Sequence, residues 1–314
     1  MIRSVFSRAV AVSALAGSAL AASAADKSGP EPLTLKPASE WNLDYAADKC
    51  RLARAFGTGD EQVIFFIERY DPGDAFFLLV SGKPLARFNE ERAKLAFGPD
   101  GYETDHPLLD GKLGEQPAFM TSGMTLVEVP GTEENHKSSR TRSNYNRFSD
   151  SLDDADVLLQ ALTPEQEAAI NWFEVSQRGM RPIRLSLGTM GKPMAALRTC
   201  IDELIGHWGI DVAAHRTLTR AVTPKTSPAD WIGYRDYPTN LLAKGAQGLV
   251  QFRLLVGVDG KPTDCFIQES TRPKGFDDAV CAAMMKRARF DPALDKDGKP
   301  IKSYWRTSVR FQMP

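Results

Sequence analysis

The chain has 314 residues, of which 25% are charged and 42% hydrophobic, with a formal net charge of −1. These are the proportions of an ordinary folded protein with room for two domains. They exclude a disordered or collagen-like chain and argue against a basic nucleic-acid-binding surface.

The N-terminus carries Arg3 and Arg8, then an Ala/Val/Leu run, then Ala22-Ser23-Ala24. A basic start, a short apolar run and small residues at a cut site predict a secretory signal peptide over 1–24. The alternative is an uncleaved membrane anchor, because Ala9 to Ala25 is near the lower length limit for a span. Cleavage would place the mature protein where thiols oxidise. Residues 25–40 are rich in Pro, Ser and charge, and read as a flexible lead-in.

From Trp41 to about Tyr102 the pattern is strand-like. "CRLARAFG" alternates, and "QVIFFIERY" and "AFFLLVSG" are short apolar runs separated by the turn signal Asp71-Pro72-Gly73-Asp74. "PAFMTSGMTLVEVP" predicts two more strands, and the aperiodic polar stretch 131–151 an exposed loop. Thr163, Pro164 and Gln166 form a capping box with proline at the first helical position, leading into "EQEAAINWFEV". A second helix begins near Pro193, with Met194, Leu197, Ile201, Leu204, Ile205 and Trp208 on one face and Gly209 as its stop. Residues 41–212 are thus expected to form an α+β domain, and 213–235 a linker.

The last stretch has the cleanest pattern. Val250, Phe252, Leu254 and Val256 share a strand face, Asp259-Gly260 marks a hairpin, and Cys265 and Ile267 share a face of the returning strand. Phe276, Val280, Ala283 and Met284 then share a helical face. In "YWRTSVRF", Trp305, Thr307, Val309 and Phe311 alternate with Tyr304, Arg306, Ser308 and Arg310.

Cys50, Cys200, Cys265 and Cys281 are even in number and lack zinc or redox spacing, so disulfides are expected, with three pairings open at this point. The chain holds no G-x-S-x-G, H-E-x-x-H or phosphate-loop motif. "GKP" at Gly82, Gly191, Gly260 and Gly298 reads as turns. Cys200 and His207 would lie about 10.5 Å apart on one helix, too far for a thiol dyad. His106, His136 and His215 read as surface residues, and Lys137, Arg140, Arg142 and Arg147 as a solvated patch rather than a nucleic-acid site. No catalytic, cofactor or metal site is expected. An enzymatic site in the N-terminal domain is the reading from another class.

The stretch from Tyr237 to Phe311 resembles the C-terminal domain of TonB, the periplasmic end of the energy transducer of Gram-negative bacteria. The resemblance rests on "YPTNLLAKGAQGLVQFRLLVGVDGKPTDCFIQES" followed by "RARFDPALDKDGKPIKSYWRTSVRF". It implies a small domain over 236–314, with a three-stranded antiparallel sheet and packed helices. It also implies that Cys265 and Cys281 staple helix to sheet, leaving Cys50 to pair with Cys200.

In that family the domain binds periplasmic segments of outer-membrane receptors by adding a strand to its exposed sheet edge. The edge implied here is Tyr304, Arg306, Ser308 and Arg310, with Arg306 and Arg310 on the solvent side as selectors of acidic peptides or as charges that guard the edge. The chain departs from a transducer in lacking a durable anchor and a Pro-rich spacer. The expectation is therefore a periplasmic binding or adaptor protein, with an inner-membrane-anchored transducer as the alternative.

Overall fold

The computed structural model describes residues 30–89, 91–99, 102–104, 108–127, 162–270 and 273–313. The signal-peptide or anchor segment, the polar loop with its basic patch, His106 and His136 lie outside these residues. No helix of the described residues is long and apolar enough to cross a membrane.

The first half builds two sheets around one core. Six strands form an antiparallel sheet: β2 (Asn42–Tyr45), β3 (Cys50–Phe56), β4 (Val63–Arg69), β5 (Phe76–Ser81), β9 (Gln116–Met124) and β8 (Leu109–Leu113), in that spatial order. The second sheet runs β1 (Leu33–Leu35), β11 (Ile183–Ser186), β10 (Trp172–Ser176), β6 (Lys94–Gly98) and β7 (Tyr102–Thr104), and only β1 and β11 pair in parallel. Period-two apolar residues of β3 and β4 turn one face inward, and Phe65 meets Phe173 of the other sheet at 5.2 Å between ring centroids, tilted by 61°.

Four expectations change here. Leu33–Leu35 is a sheet strand, not part of a flexible lead-in, because it pairs with β11. The described part of "PAFMTSGMTLVEVP", residues 117–127, holds one strand, β9, whose partner β8 precedes it. The capping box at Thr163 forms with both bonds, yet its helix, α1 (Pro164–Ala169), ends after 6 residues. The following Trp172–Ser176 is drawn into the sheet between β11 and β6, where backbone pairing on both sides outweighs helix continuation. The longer helix α2 (Gly191–His207) keeps its predicted face, and Gly209, at φ 72°, ends it in a conformation that other residues rarely adopt.

The fourth change concerns the expected linker. Residues 213–235 hold the end of the short helix α3 (Val212–His215) and strand β12 (Thr223–Pro224), which pairs with β15 (Phe290–Asp291). Val222 and Trp231 are buried in the second core. The aromatic Trp231, in contact with Phe290 and Trp305, makes this stretch part of the packed body.

That second core fills one face of a three-stranded antiparallel sheet, β14 (Pro262–Ser270), β13 (Gly248–Val256) and β18 (Ser303–Phe311), in that order. Helices α4 (Thr239–Leu242) and α5 (Gly275–Arg287) supply Leu241, Phe276, Val280 and Met284 to it. The hairpin between β13 and β14 turns at Gly260, whose φ is 74° and whose missing Cβ would lie 2.0 Å from the Phe290 carbonyl oxygen. Small ribbons β16 (Ala293–Leu294) and β17 (Pro300–Ile301) close the loop before β18.

Both cysteine pairs are oxidised. Cys265 and Cys281 join β14 to α5, and Cys50 and Cys200 join β3 to α2.

Candidate partner-binding edge

Strand β18 alternates as its sequence requires. Trp305 and Phe311 enter the second core, where Phe311 stacks on Phe276 at 4.2 Å. Tyr304, Arg306, Ser308 and Arg310 take the other face. All 9 residues of β18 pair with β13, from Ser303 opposite Val256 to Phe311 opposite Gly248. No strand among the described residues pairs with its other side. Among the described residues the sheet therefore ends at β18 on one side and at β14 on the other.

The polar face of this sheet is not open along its length. Arg306, expected toward solvent, has a side chain 8% exposed and ion-pairs with Asp71. Its Nε donates to Gln268 Oε1 at 2.8 Å, and its guanidinium lies 4.7 Å from the Tyr70 ring centre. Tyr304 is buried within the first core, 5.6 Å from the Trp208 ring. Arg306 is thus not on the solvent side as expected, because its charge is committed to the N-terminal half. Ser308 is half-buried and Arg310 is exposed.

The same face carries Arg253 of β13, the most buried charge of the junction. It is 2% exposed, and its Nη1 donates to Asp48 Oδ1 at 3.1 Å. Its guanidinium stacks 3.5 Å from the Trp208 ring centre and 4.7 Å from that of Phe266. Burial holds its pKa below the usual arginine range, and Asp48 opposes that shift only in part. Beside it, Lys49 reaches Glu68 at 3.1 Å and Glu269 at 2.5 Å, and Arg51 Nε lies 2.5 Å from Glu68. The Tyr70 hydroxyl donates to Glu68 at 3.0 Å, and burial with the neighbouring carboxylates pushes its pKa far up, so it stays a donor.

The sequence reading passed over Asp48 and Lys49, and took Tyr70 as the end of a strand and Asp71 as a turn residue. A signal was present. Leu255 shares the second face of β13 with Arg253, and its burial in the first core is what that apolar residue foreshadowed.

His215, read as a surface residue, instead lies flat on Tyr304 with ring centroids 5.4 Å apart, its Nε2 2.9 Å from Ser303 Oγ. Burial is the chief cause that lowers its pKa from 6.5 to about 4. A histidine whose folded pKa lies below its unfolded one binds more protons when unfolded, so stability falls as pH drops from 6.5 toward 4. Acidification from pH 7 to pH 5 is expected to cost about 1–2 kcal/mol through this group alone. Urea titrations of the wild type and His215→Gln check this: the variant should lose that part of the pH slope. An unchanged slope would mean that other groups carry it.

The described residues hold no group of three or more His, Cys, Asp or Glu side chains arranged to hold a metal.

Residues 234–313 match the model of a family described as Gram-negative bacterial TonB protein C-terminal. This is the stretch whose strand, hairpin, helix and strand carried the resemblance in the sequence. The solution NMR structure of Pseudomonas aeruginosa TonB CTD is 26% identical, with 29% of this chain and 86% of that chain covered and a TM-score of 0.23. No curated protein matches the chain.

Proposed function

We propose that this protein is a binding or adaptor protein of the Gram-negative envelope, linked to TonB-dependent transport, that takes an extended segment of a partner as a fourth strand along β18. The observation that carries this reading is the 9-residue edge itself, paired to β13 on one side and to no strand among the described residues on the other. Where such an edge is uncovered, as along the half-buried to exposed Ser308–Arg310, it offers backbone donors and acceptors that an extended chain satisfies at little cost in shape. Segments of outer-membrane receptors or of other envelope proteins are the partners this chemistry suits. The N-terminal half holds the sheet's polar face through Asp48, Trp208 and Asp71, so the domain presents its edge rather than its face.

The test is a titration of isotope-labelled full chain with candidate receptor peptides, read from backbone amide shifts. Amides of 304–311 are expected to move together, and those of 266–269 on β14, the opposite edge, to move little. Peptides that shift β14 and leave β18 unchanged would overturn the proposal.

A further inference from the structure

A crevice of about 50 Å³ lies between the N-terminal half and the three-stranded sheet. Its floor on the sheet side is Gln251 of β13 and Arg306 of β18, so its outer rim is the edge strand. The facing wall includes Asp71, Ala75, Phe77 and Ser122. A strand added to β18 would run about 4.8 Å beyond it and would present every second side chain to this face.

Most charges on the lining are already held, and the buried Arg69 donates through Nη2 to the Asp74 carbonyl at 3.0 Å. Asp71 and Arg306 pair with each other, and the nearby Glu68 is held by Arg51, Lys49 and Tyr70. A charged side chain entering the crevice would lose hydration and compete with the pairs already made there, whereas an apolar one would cover Phe77 and Ala75. Farther along the same face stands Arg310, which is exposed and four residues from Arg306 on β18. Alternation keeps Arg306, Ser308 and Arg310 on one side of the sheet.

We infer that the N-terminal half forms the second wall of the peptide groove and reads the bound strand's side chains. The partner segment would place an uncharged apolar side chain in the crevice and an acidic one against Arg310, both on the same face. The two must then be separated by an even number of positions. This inference rests on strand addition at β18, and it assigns sequence preference to a junction outside the TonB-like fold.

The experiment uses full chain and labelled peptides of nine residues, the length of β18, in a Ser/Thr/Gln background with one leucine and one glutamate. Even spacing is expected to bind about tenfold tighter than odd spacing, a difference of about 1.4 kcal/mol. Arg310→Glu should weaken even-spaced peptides about threefold, with recovery when the peptide glutamate becomes lysine. Ala75→Trp, which fills the crevice, should erase the advantage of leucine over serine in the peptide. Ala75→Leu should reduce that advantage while keeping the wild-type amide spectrum.

If peptides move the amides of 304–311 with no preference for even spacing and no response to either Ala75 variant, the crevice reading is overturned and strand addition stands. If no peptide moves those amides, both readings fall together.

Discussion

Replacing both Cys50 and Cys200 with alanine is expected to lower stability by about 5 kcal/mol, the largest loss from any single change of covalent structure here. The bond closes a loop with a sequence separation of 150, against 16 for Cys265–Cys281. In the chain-entropy account the constraint on the unfolded chain grows with the logarithm of loop length, so the shorter bond contributes about 3 kcal/mol. Position adds to the effect. Cys50 is 0% and Cys200 1% exposed, at the contact between β3 and α2 in the middle of the first core. Guanidinium titrations of the wild type, the Cys50/Cys200 double alanine variant and the corresponding Cys265/Cys281 variant measure both losses. A greater loss from the shorter bond would show that local packing, rather than loop closure, sets the contribution.

Asp71→Ala is expected to cost about 3 kcal/mol by leaving a buried charge without its partner. Arg306 has a side chain 8% exposed and Asp71 one 19% exposed, so water can replace the lost carboxylate only in part. Replacing the pair together, as Asp71→Leu with Arg306→Met, should recover most of the loss, because an apolar pair of similar volume avoids the desolvation that the ion pair must offset. Thermal denaturation of Asp71→Leu, Arg306→Met and their double variant, with the wild type, closes the cycle and gives the coupling energy. A single variant as stable as the wild type would mean that Gln268 and Tyr70 alone are enough to hold Arg306. The same series separates stability from binding, since the double variant keeps β18 in place while changing the floor of the crevice.

The elements of the TonB-like domain were legible because their signals are local. Val250, Phe252, Leu254 and Val256 alternate, Asp259-Gly260 supplies the turn that only a positive φ permits, and the face of α5 repeats at helical spacing. The face of α2 and its stop at Gly209 were readable for the same reason. The disulfide partners became readable once the fold placed Cys265 and Cys281 on neighbouring elements. What local pattern could not decide is what the alternate residues of a strand face. Arg306 and Tyr304 occupy positions that a lone sheet would give to water.

Only the tertiary structure showed that the N-terminal half lies over them. The short reach of ion pairs and the density of packed rings make that choice depend on residues more than two hundred positions away in the chain: Asp71 for Arg306, and Asp48 for Arg253. Trp172–Ser176 illustrates the same limit in the other direction. One neighbour is the next strand, β11, but the other, β6, comes from far earlier in the chain, and backbone pairing with both ends a helix that the capping box at Thr163 had correctly begun. The sequence by itself therefore determined the elements with local periodicity, their turns and the cysteine chemistry. The tertiary structure decided which faces are covered, because covering depends on contacts that no window of neighbouring residues contains.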